Sequence, residues 1–175
     1  MFHPMRTSLS YCLLLSICIL QASFASAETE AIFSPERSIK ESLLKECESV
    51  ASTMDVAVRE ITSPDMANAL LKAKGRGVKV RVIADSKQAK MKSSQITTLI
   101  HQGIPVKVLR GKDYGVMNHR FVILDGKKVV TGSFDWSEAS EKWNYENILI
   151  ISDPEVVASY QKEFDRLWRE KRVIH

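Results

Sequence analysis

Stretches with the apolar spacing of β-strands alternate with stretches spaced like amphipathic helices along most of this chain. Three pairs, Ser34-Pro35, Ser63-Pro64 and Asp153-Pro154, each precede a helical pattern and predict a helix start. A further helix is expected near residues 94–101. The predicted strands cover residues 54–61, 78–84, 105–109, 120–124, 128–131 and 147–151. This alternation predicts an α/β sandwich with a mixed, mostly parallel sheet flanked by helices, in which residues 120–131 form an antiparallel hairpin.

The first 27 residues have the pattern of a secretory signal. Arg6 supplies a positive start, residues 11–20 are apolar, and Ala25-Ser26-Ala27 offers small residues for cleavage. An uncleaved membrane anchor is the alternative, but the apolar stretch is short for a bilayer of roughly 30 Å. We therefore expect export to the periplasm, with one domain at residues 28–175 and no stable membrane anchor after cleavage.

The charge balance permits a polyanionic partner without requiring one. Removing Arg6 from the 25 basic residues leaves 24 against 21 acidic residues. Basic runs at residues 72–81, 87–92 and 107–112 offer phosphate contacts, and a solvated face is the alternative interpretation for each run.

The cysteine and histidine content argues against disulfides and metals. Cys47 is the one cysteine after residue 27, and its helical spacing with Leu43, Leu44 and Val50 predicts a buried structural thiol. The sequence contains no CxxC or HExxH motif. We therefore expect no zinc site and no cofactor.

The residues that carry chemistry are concentrated between positions 118 and 147. Asn118-His119-Arg120 precedes Asp125 by a fixed distance, Gly132-Ser133-Phe134-Asp135 follows, and Glu146 comes later. This arrangement resembles the signature of the phospholipase D superfamily, in which a His-x-Lys pair precedes an aspartate and a Gly-Ser turn with an asparagine. The helix starts at Ser34-Pro35 and Ser63-Pro64-Asp65, and the turns at residues 75–78 and 103–105, are similar to those of the half-sized periplasmic endonucleases of that superfamily.

The resemblance implies a metal-independent mechanism. One family histidine attacks phosphorus and forms a covalent phosphohistidine, and a second histidine protonates the leaving oxygen. Because this chain carries one motif, the resemblance implies a symmetric homodimer whose active site lies across its twofold axis.

The resemblance also assigns a role to each site residue. Asn118 occupies the nucleophile's position, and an asparagine cannot attack phosphorus or titrate near neutral pH. Arg120 takes the lysine's place and can grip phosphate in bidentate fashion, whereas Asp135 replaces an amide with a carboxylate that repels phosphate unless it is protonated or turned away. The remaining implied roles are phosphate or histidine binding by Ser133, orientation of a histidine by Glu146, and structural support by Gly132. Asp125 lies seven positions after Asn118, an odd number, so in a strand the two side chains face opposite ways. This spacing predicts a structural role for Asp125 in the hairpin turn, and a direct catalytic role is the alternative.

The direction of His119 is left open by the pattern. In a regular strand, His119 points away from Asn118 and Arg120 and shares a face with Phe121. A one-residue bulge at the strand entrance would instead turn it toward the site. Trp136 and Trp143 either stack on bases or pack in the interior.

Three functions fit this sequence. The first is an endonuclease that hydrolyses DNA or RNA. The second is a phospholipid hydrolase of the same superfamily. The third is a catalytically weakened or silent relative that binds nucleic acid.

Overall fold

The computed structural model describes residues 27–113 and 115–171. The predicted signal, apart from Ala27, and the C-terminal His175 lie outside the described residues. The helices are α1 (Ile39–Ser49), α2 (Pro64–Gly75), α3 (Ile96–His101), α4 (Glu138–Lys142) and α5 (Pro154–Arg169), with a short 3-10 turn at Gln88–Lys90. The strands are β1 (Thr29–Phe33), β2 (Thr53–Val58), β3 (Lys79–Asp85), β4 (Val106–Leu109), β5 (Arg120–Leu124), β6 (Lys128–Gly132) and β7 (Asn147–Ile151). No helix in these two stretches is long and apolar enough to cross a membrane.

The seven strands form one mixed sheet in the order β1-β7-β6-β5-β2-β3-β4. The predicted mixed sheet flanked by helices is confirmed, but the prediction that it is mostly parallel is wrong. Only β2–β3 and β3–β4 are parallel, and the other four pairs are antiparallel. The physical reason is that β5, β6 and β7 follow one another as a meander, and β1 adds a further antiparallel edge.

The first helix starts later than Ser34-Pro35 predicts. α1 begins at Ile39, where the Ser38 side chain accepts a hydrogen bond from the backbone N–H of Glu41 at 3.2 Å. Ser34 instead follows β1, and its backbone N–H donates to the Glu146 carbonyl at 3.0 Å. Ser34 is therefore bonded to the loop before β7, and Ser38 is the residue that caps α1.

The sheet separates two apolar layers. Side chains of α1 and α2 pack on one face with Val122 and Leu124 of β5. Helix α5, which Asp153 caps as predicted, packs on the other face with Phe121 and Ile123. Even-numbered side chains of β5 therefore face α1 and α2, whereas odd-numbered ones face α5. Cys47 is buried in the first layer, as predicted, and burial raises the pKa of its thiol to about 12.

Asp125 fastens the end of β5 to the start of β2. Its carboxylate accepts hydrogen bonds from the backbone N–H groups of Ala51, Ser52 and Thr53 at 2.7 to 3.0 Å, and from the Ser52 hydroxyl at 2.8 Å. Partial burial would raise the pKa of Asp125, but these hydrogen bonds together lower it well below its usual range. The geometry therefore favours a structural role for this residue over a catalytic one.

Candidate functional site

The motif residues meet at one edge of the sheet. Val58, at the end of β2, pairs with Arg120 at the start of β5, and Gly132, at the end of β6, pairs with Ile148 near the start of β7. Antiparallel pairing thus brings both ends of the motif to the same edge. The side chains gathered there are Arg59, Arg120, Ser133, Asp135 and Glu146.

Asp135 lies between two arginine side chains. Its Oδ2 accepts hydrogen bonds from Arg59 at 2.7 and 3.2 Å and from Arg120 Nη2 at 2.9 Å. Asp135 is only 4% exposed, so water screens these pairs poorly. Partial burial would lower the pKa of Arg59, but the hydrogen bond and charge of Asp135 raise it, and the guanidinium stays charged.

The pairing of Asp135 with Arg120 is incomplete. Arg120 Nε lies 2.8 Å from Asp135 Oδ1, but the two atoms are not aligned as a hydrogen bond, and both are buried without another partner among the described residues. Neither arginine makes a parallel pair of bonds to the two carboxylate oxygens, because all three hydrogen bonds end on Oδ2. The carboxylate holds the two guanidinium groups next to each other and neutralises part of their charge.

Ser133 and Glu146 form a second polar cluster. The Ser133 hydroxyl donates a short hydrogen bond to Glu146 Oε2, and the backbone N–H of Asn147 donates to Ser133 Oγ at 3.1 Å. Asn144 Nδ2 donates to Glu146 Oε1 at 2.9 Å, which fixes the carboxylate. Glu146 is 8% exposed, and both of its carboxylate oxygens accept hydrogen bonds. The carboxylate therefore fixes the position of the Ser133 hydroxyl.

Gly132 permits this cluster to form. A Cβ at this position would lie 2.1 Å from the backbone oxygen of Asn147, closer than atoms can approach. β6 and β7 can therefore come together here only around a glycine, in keeping with its predicted structural role.

His119 lies on the opposite face of the sheet from Arg120. Its Nε2 is 3.3 Å from Glu163 Oε1 on α5, and its ring packs edge-on against Phe121 with centroids 5.4 Å apart. β5 pairs with β2 in unbroken register from Arg120 onward, without the bulge that would turn His119 round. Of the two predicted directions, the structure shows the one away from the cluster.

Asn118 stands where the resemblance places the nucleophile. Its side chain is exposed, and its backbone carbonyl accepts from Arg120 Nη1 at 3.5 Å. The other histidine in the described part of the chain, His101, ends α3. Among the described residues of one copy, no histidine therefore lies beside the arginine cluster formed by Arg59 and Arg120.

Arg59 and Glu60 were missed by the sequence interpretation. Arg59 follows β2 directly, and Glu60 contacts it at 3.1 Å. In the sequence, Arg59 is recognisable only as a charged residue near the end of a buried strand. It joins the site because β2 pairs with β5, and the sequence does not show that pairing. Trp136 is buried and packs in the interior, whereas Trp143 and Tyr145 are 79% and 88% exposed on either side of Asn144.

No group of three or more histidine, cysteine or acidic side chains that could hold a metal ion occurs within residues 27–113 and 115–171. The polar cluster at the sheet edge is instead built from two cations, two carboxylates and a hydroxyl. Such a set can bind and polarise a phosphate ester through its own side chains.

Comparisons with known proteins agree with this fold. A family described as "Cardiolipin synthase, PLD-like domain" matches residues 42–168. The mitochondrial cardiolipin hydrolase of Chlamydomonas reinhardtii is 38% identical over 120 residues, which cover 69% of this chain and 53% of that protein. The corresponding protein of Xenopus tropicalis is 39% identical over 118 residues, which cover 67% of this chain and 55% of that one. This chain thus spans about half the length of these relatives.

Two solved structures match over nearly their full length. The first is Nuc, a phospholipase D family member from Salmonella typhimurium, with a TM-score of 0.76 and 26% identity, covering 85% of this chain and 99% of that one. NucT from Helicobacter pylori has a TM-score of 0.73 and 27% identity, covering 81% of this chain and 96% of that one. The compact fold is therefore similar to that of half-sized relatives.

Proposed function

This chain belongs to the phospholipase D superfamily, a family of phosphodiesterases, and we propose that it acts on the phosphodiester backbone of nucleic acid. In this proposal the reaction needs no metal, and two copies of the chain share the site. The observation that carries it is the sheet edge where Arg59 and Arg120 converge on the buried Asp135, beside the Ser133–Glu146 pair.

The arginine pair accounts for phosphate recognition. A phosphodiester that reaches Arg120 competes with Asp135 for the same N–H groups, and it can engage the buried Nε only by displacing the Asp135 carboxylate. Arg120 then stabilises the charge that develops on the phosphoryl oxygens during displacement. The carboxylate of Asp135 reduces the net attraction, so phosphate binding is expected to be weaker than at an uncompensated arginine pair.

One structural feature favours nucleic acid over phospholipid. Trp143 and Tyr145 present exposed rings next to Glu146, where they offer stacking surfaces for bases. Single-stranded nucleic acid is bound by this combination of cationic and aromatic side chains.

Turnover is expected to be slow, because Asn118 cannot form a phosphohistidine and His119 faces α5. A water molecule must then attack phosphorus directly while the bond to the leaving oxygen breaks, and its proton passes to that oxygen. The same two observations favour a second candidate function, a relative that binds nucleic acid without cutting it. The two candidates share the ligand and differ in whether any cleavage occurs.

The proposed function is tested by comparing two ligands side by side in the presence of a chelator. We expect the purified protein to bind and slowly cut a labelled oligonucleotide, to leave vesicles of phosphatidylcholine and cardiolipin intact, and to behave as a dimer in light scattering. Turnover of cardiolipin without binding of the oligonucleotide would identify a phospholipid hydrolase. Binding without any cleavage would identify the silent relative, and a monomer would contradict the shared site.

Asp135→Asn is expected to raise the affinity for an oligonucleotide by about tenfold, because it removes the charge that competes with phosphate for both arginines. The measurement is fluorescence anisotropy at low salt. Glu60→Gln is the matched control, since Glu60 contacts Arg59 but not Arg120, and we expect a smaller gain. Weaker binding by a folded Asp135→Asn variant would show that Asp135 orients the arginines more than it competes with phosphate.

A further inference from the structure

Two of the basic runs seen in the sequence converge on a single cleft. The cleft has a volume of about 300 Å³ and lies where the parallel strands β3 and β4 end. Lys87 and Lys90 come from the run at residues 87–92, and Arg110 comes from the run at residues 107–112. Because the carboxyl ends of paired parallel strands meet at one edge, residues 20 or more positions apart in sequence bring their charges together.

Among the described residues, no side chain pairs with any of the three cations. Lys87, Lys90 and Arg110 are exposed, and neither lysine pairs with a carboxylate of the described residues. Arg110 Nη2 makes one hydrogen bond, to the backbone oxygen of Asp113 at 3.3 Å. A guanidinium bonded to a single carbonyl keeps most of its donors available.

The carboxylate of Asp85, the acidic residue of the cleft, already accepts hydrogen bonds from the backbone. Asp85 is 1% exposed, and its carboxylate accepts from the backbone N–H groups of Lys87, Gln88 and Met117 at 2.9 to 3.1 Å. It therefore holds the loops that carry the cations in place. Its negative charge faces those amide groups, so it cancels only part of the surrounding positive charge.

The cleft is joined directly to the arginine cluster. The backbone N–H of Asp85 donates to the carbonyl oxygen of Arg59 at 3.2 Å. In sheet order the cluster lies at β5 and β2, and the cleft lies at β3 and β4. The separation is roughly 10 Å, or two strand spacings. One strand of nucleic acid that runs along this edge can place one phosphate at Arg120 and a later one at the cleft.

We infer that Lys87, Lys90 and Arg110 form a second phosphate subsite, which binds the nucleic-acid backbone away from the bond at the arginine cluster. The inference rests on the proposed function, because it assigns the ligand of the cleft from the ligand of that cluster. The subsite contributes affinity and salt dependence without taking part in the chemical step. Binding should therefore require an oligonucleotide long enough to reach both places.

The test is the salt dependence of oligonucleotide binding in a variant with Lys87, Lys90 and Arg110 all changed to glutamine. For a single-stranded 12-mer we expect the slope of log K against log salt to become shallower by roughly 2, at about 0.7 per phosphate contact. A dinucleotide with one phosphodiester should bind the variant and the wild type equally. The matched control changes Lys45, Lys127 and Lys162 to glutamine, which removes the same charge from exposed positions away from the cleft.

The outcomes separate the two proposals. An unchanged slope in the folded cleft variant, with normal binding by the wild type, would overturn the second subsite and leave the proposed function standing. An equal loss in the control variant would also overturn it, because the effect would then come from total charge. If the wild type binds vesicles or inorganic phosphate but no oligonucleotide, both the subsite and the proposed function are wrong. Thermal unfolding midpoints verify that each variant is folded.

Discussion

Asn118→His is expected to raise the rate of oligonucleotide cleavage by about 10² to 10⁴-fold in the presence of a chelator. The substitution places an imidazole on the approach to Arg120, where the present chain has an exposed amide. In a symmetric dimer a single substitution supplies two histidines, one to attack phosphorus and one to protonate the leaving oxygen. The measurement is single-turnover cleavage of an end-labelled strand.

The controls for this experiment use neighbouring positions. Asn118→Gln keeps a polar side chain that does not titrate, and it should not gain activity. His119→Ala should leave cleavage unchanged in either background, because His119 contacts Glu163 and Phe121 on the α5 face. Loss of cleavage in His119→Ala would mean that His119 turns into the site during the reaction. That result would contradict the assignment of position 118.

Asp125→Ala is expected to lower the free energy of unfolding by about 2 to 4 kcal/mol at neutral pH. The variant leaves three backbone N–H groups and one hydroxyl without their acceptor, and it releases the turn after β5 from the start of β2. The measurement is urea unfolding of the wild type and the variant.

The contribution of Asp125 to the free energy of unfolding should decrease as the pH is lowered. Because its pKa is lower in the folded chain than in the unfolded chain, its stabilising contribution is fully present above about pH 4 and is lost as the pH falls through the folded value. The difference between wild type and variant should therefore shrink on acidification below about pH 4. A constant difference would show that the loss comes from the backbone alone.

Asp113→Ala is a matched control for this prediction. Asp113 and Asp125 have nearly the same left-handed backbone, with φ of 56° and 53°. The carboxylate of Asp113, unlike that of Asp125, makes no hydrogen bond or ion pair with the described residues. A loss common to both variants measures the cost of alanine at positive φ, and the excess at Asp125 measures the carboxylate.

The interior of the sheet was the most predictable part of the fold. Of the two directions that the sequence left open for His119, the structure shows the one expected for a regular strand, opposite to Arg120. The structural role of Asp125 followed from the same count, although its partners at residues 51–53 lie over 70 positions away. Spacing gives the direction of a side chain but not what it meets.

The errors have long-range causes. The sequence interpretation missed β1. Only Ile32 of this strand is buried, so the strand is recognisable from its pairing with β7 and not from alternating apolar residues. Ser34-Pro35 has the local form of a helix start, but Ser34 bonds to the loop before β7 and Ser38 caps α1. Arg59 was missed because its meeting with Asp135, 76 positions away, depends on the pairing of β2 with β5.

The proposed phosphate site is tested most directly by oligonucleotide binding in Arg120→Gln. Arg120 is the cation of the motif, and its side chain lies on the same face of the sheet as the proposed site. Its Nε lies 2.8 Å from Asp135 Oδ1 without forming a hydrogen bond. In a chelating buffer we predict that the wild type binds a single-stranded oligonucleotide and that Arg120→Gln weakens binding at least tenfold. The Arg166→Gln control, on the α5 face, should bind normally. Equal affinity in wild type and a folded Arg120→Gln variant would contradict a nucleic-acid phosphate site at this sheet edge.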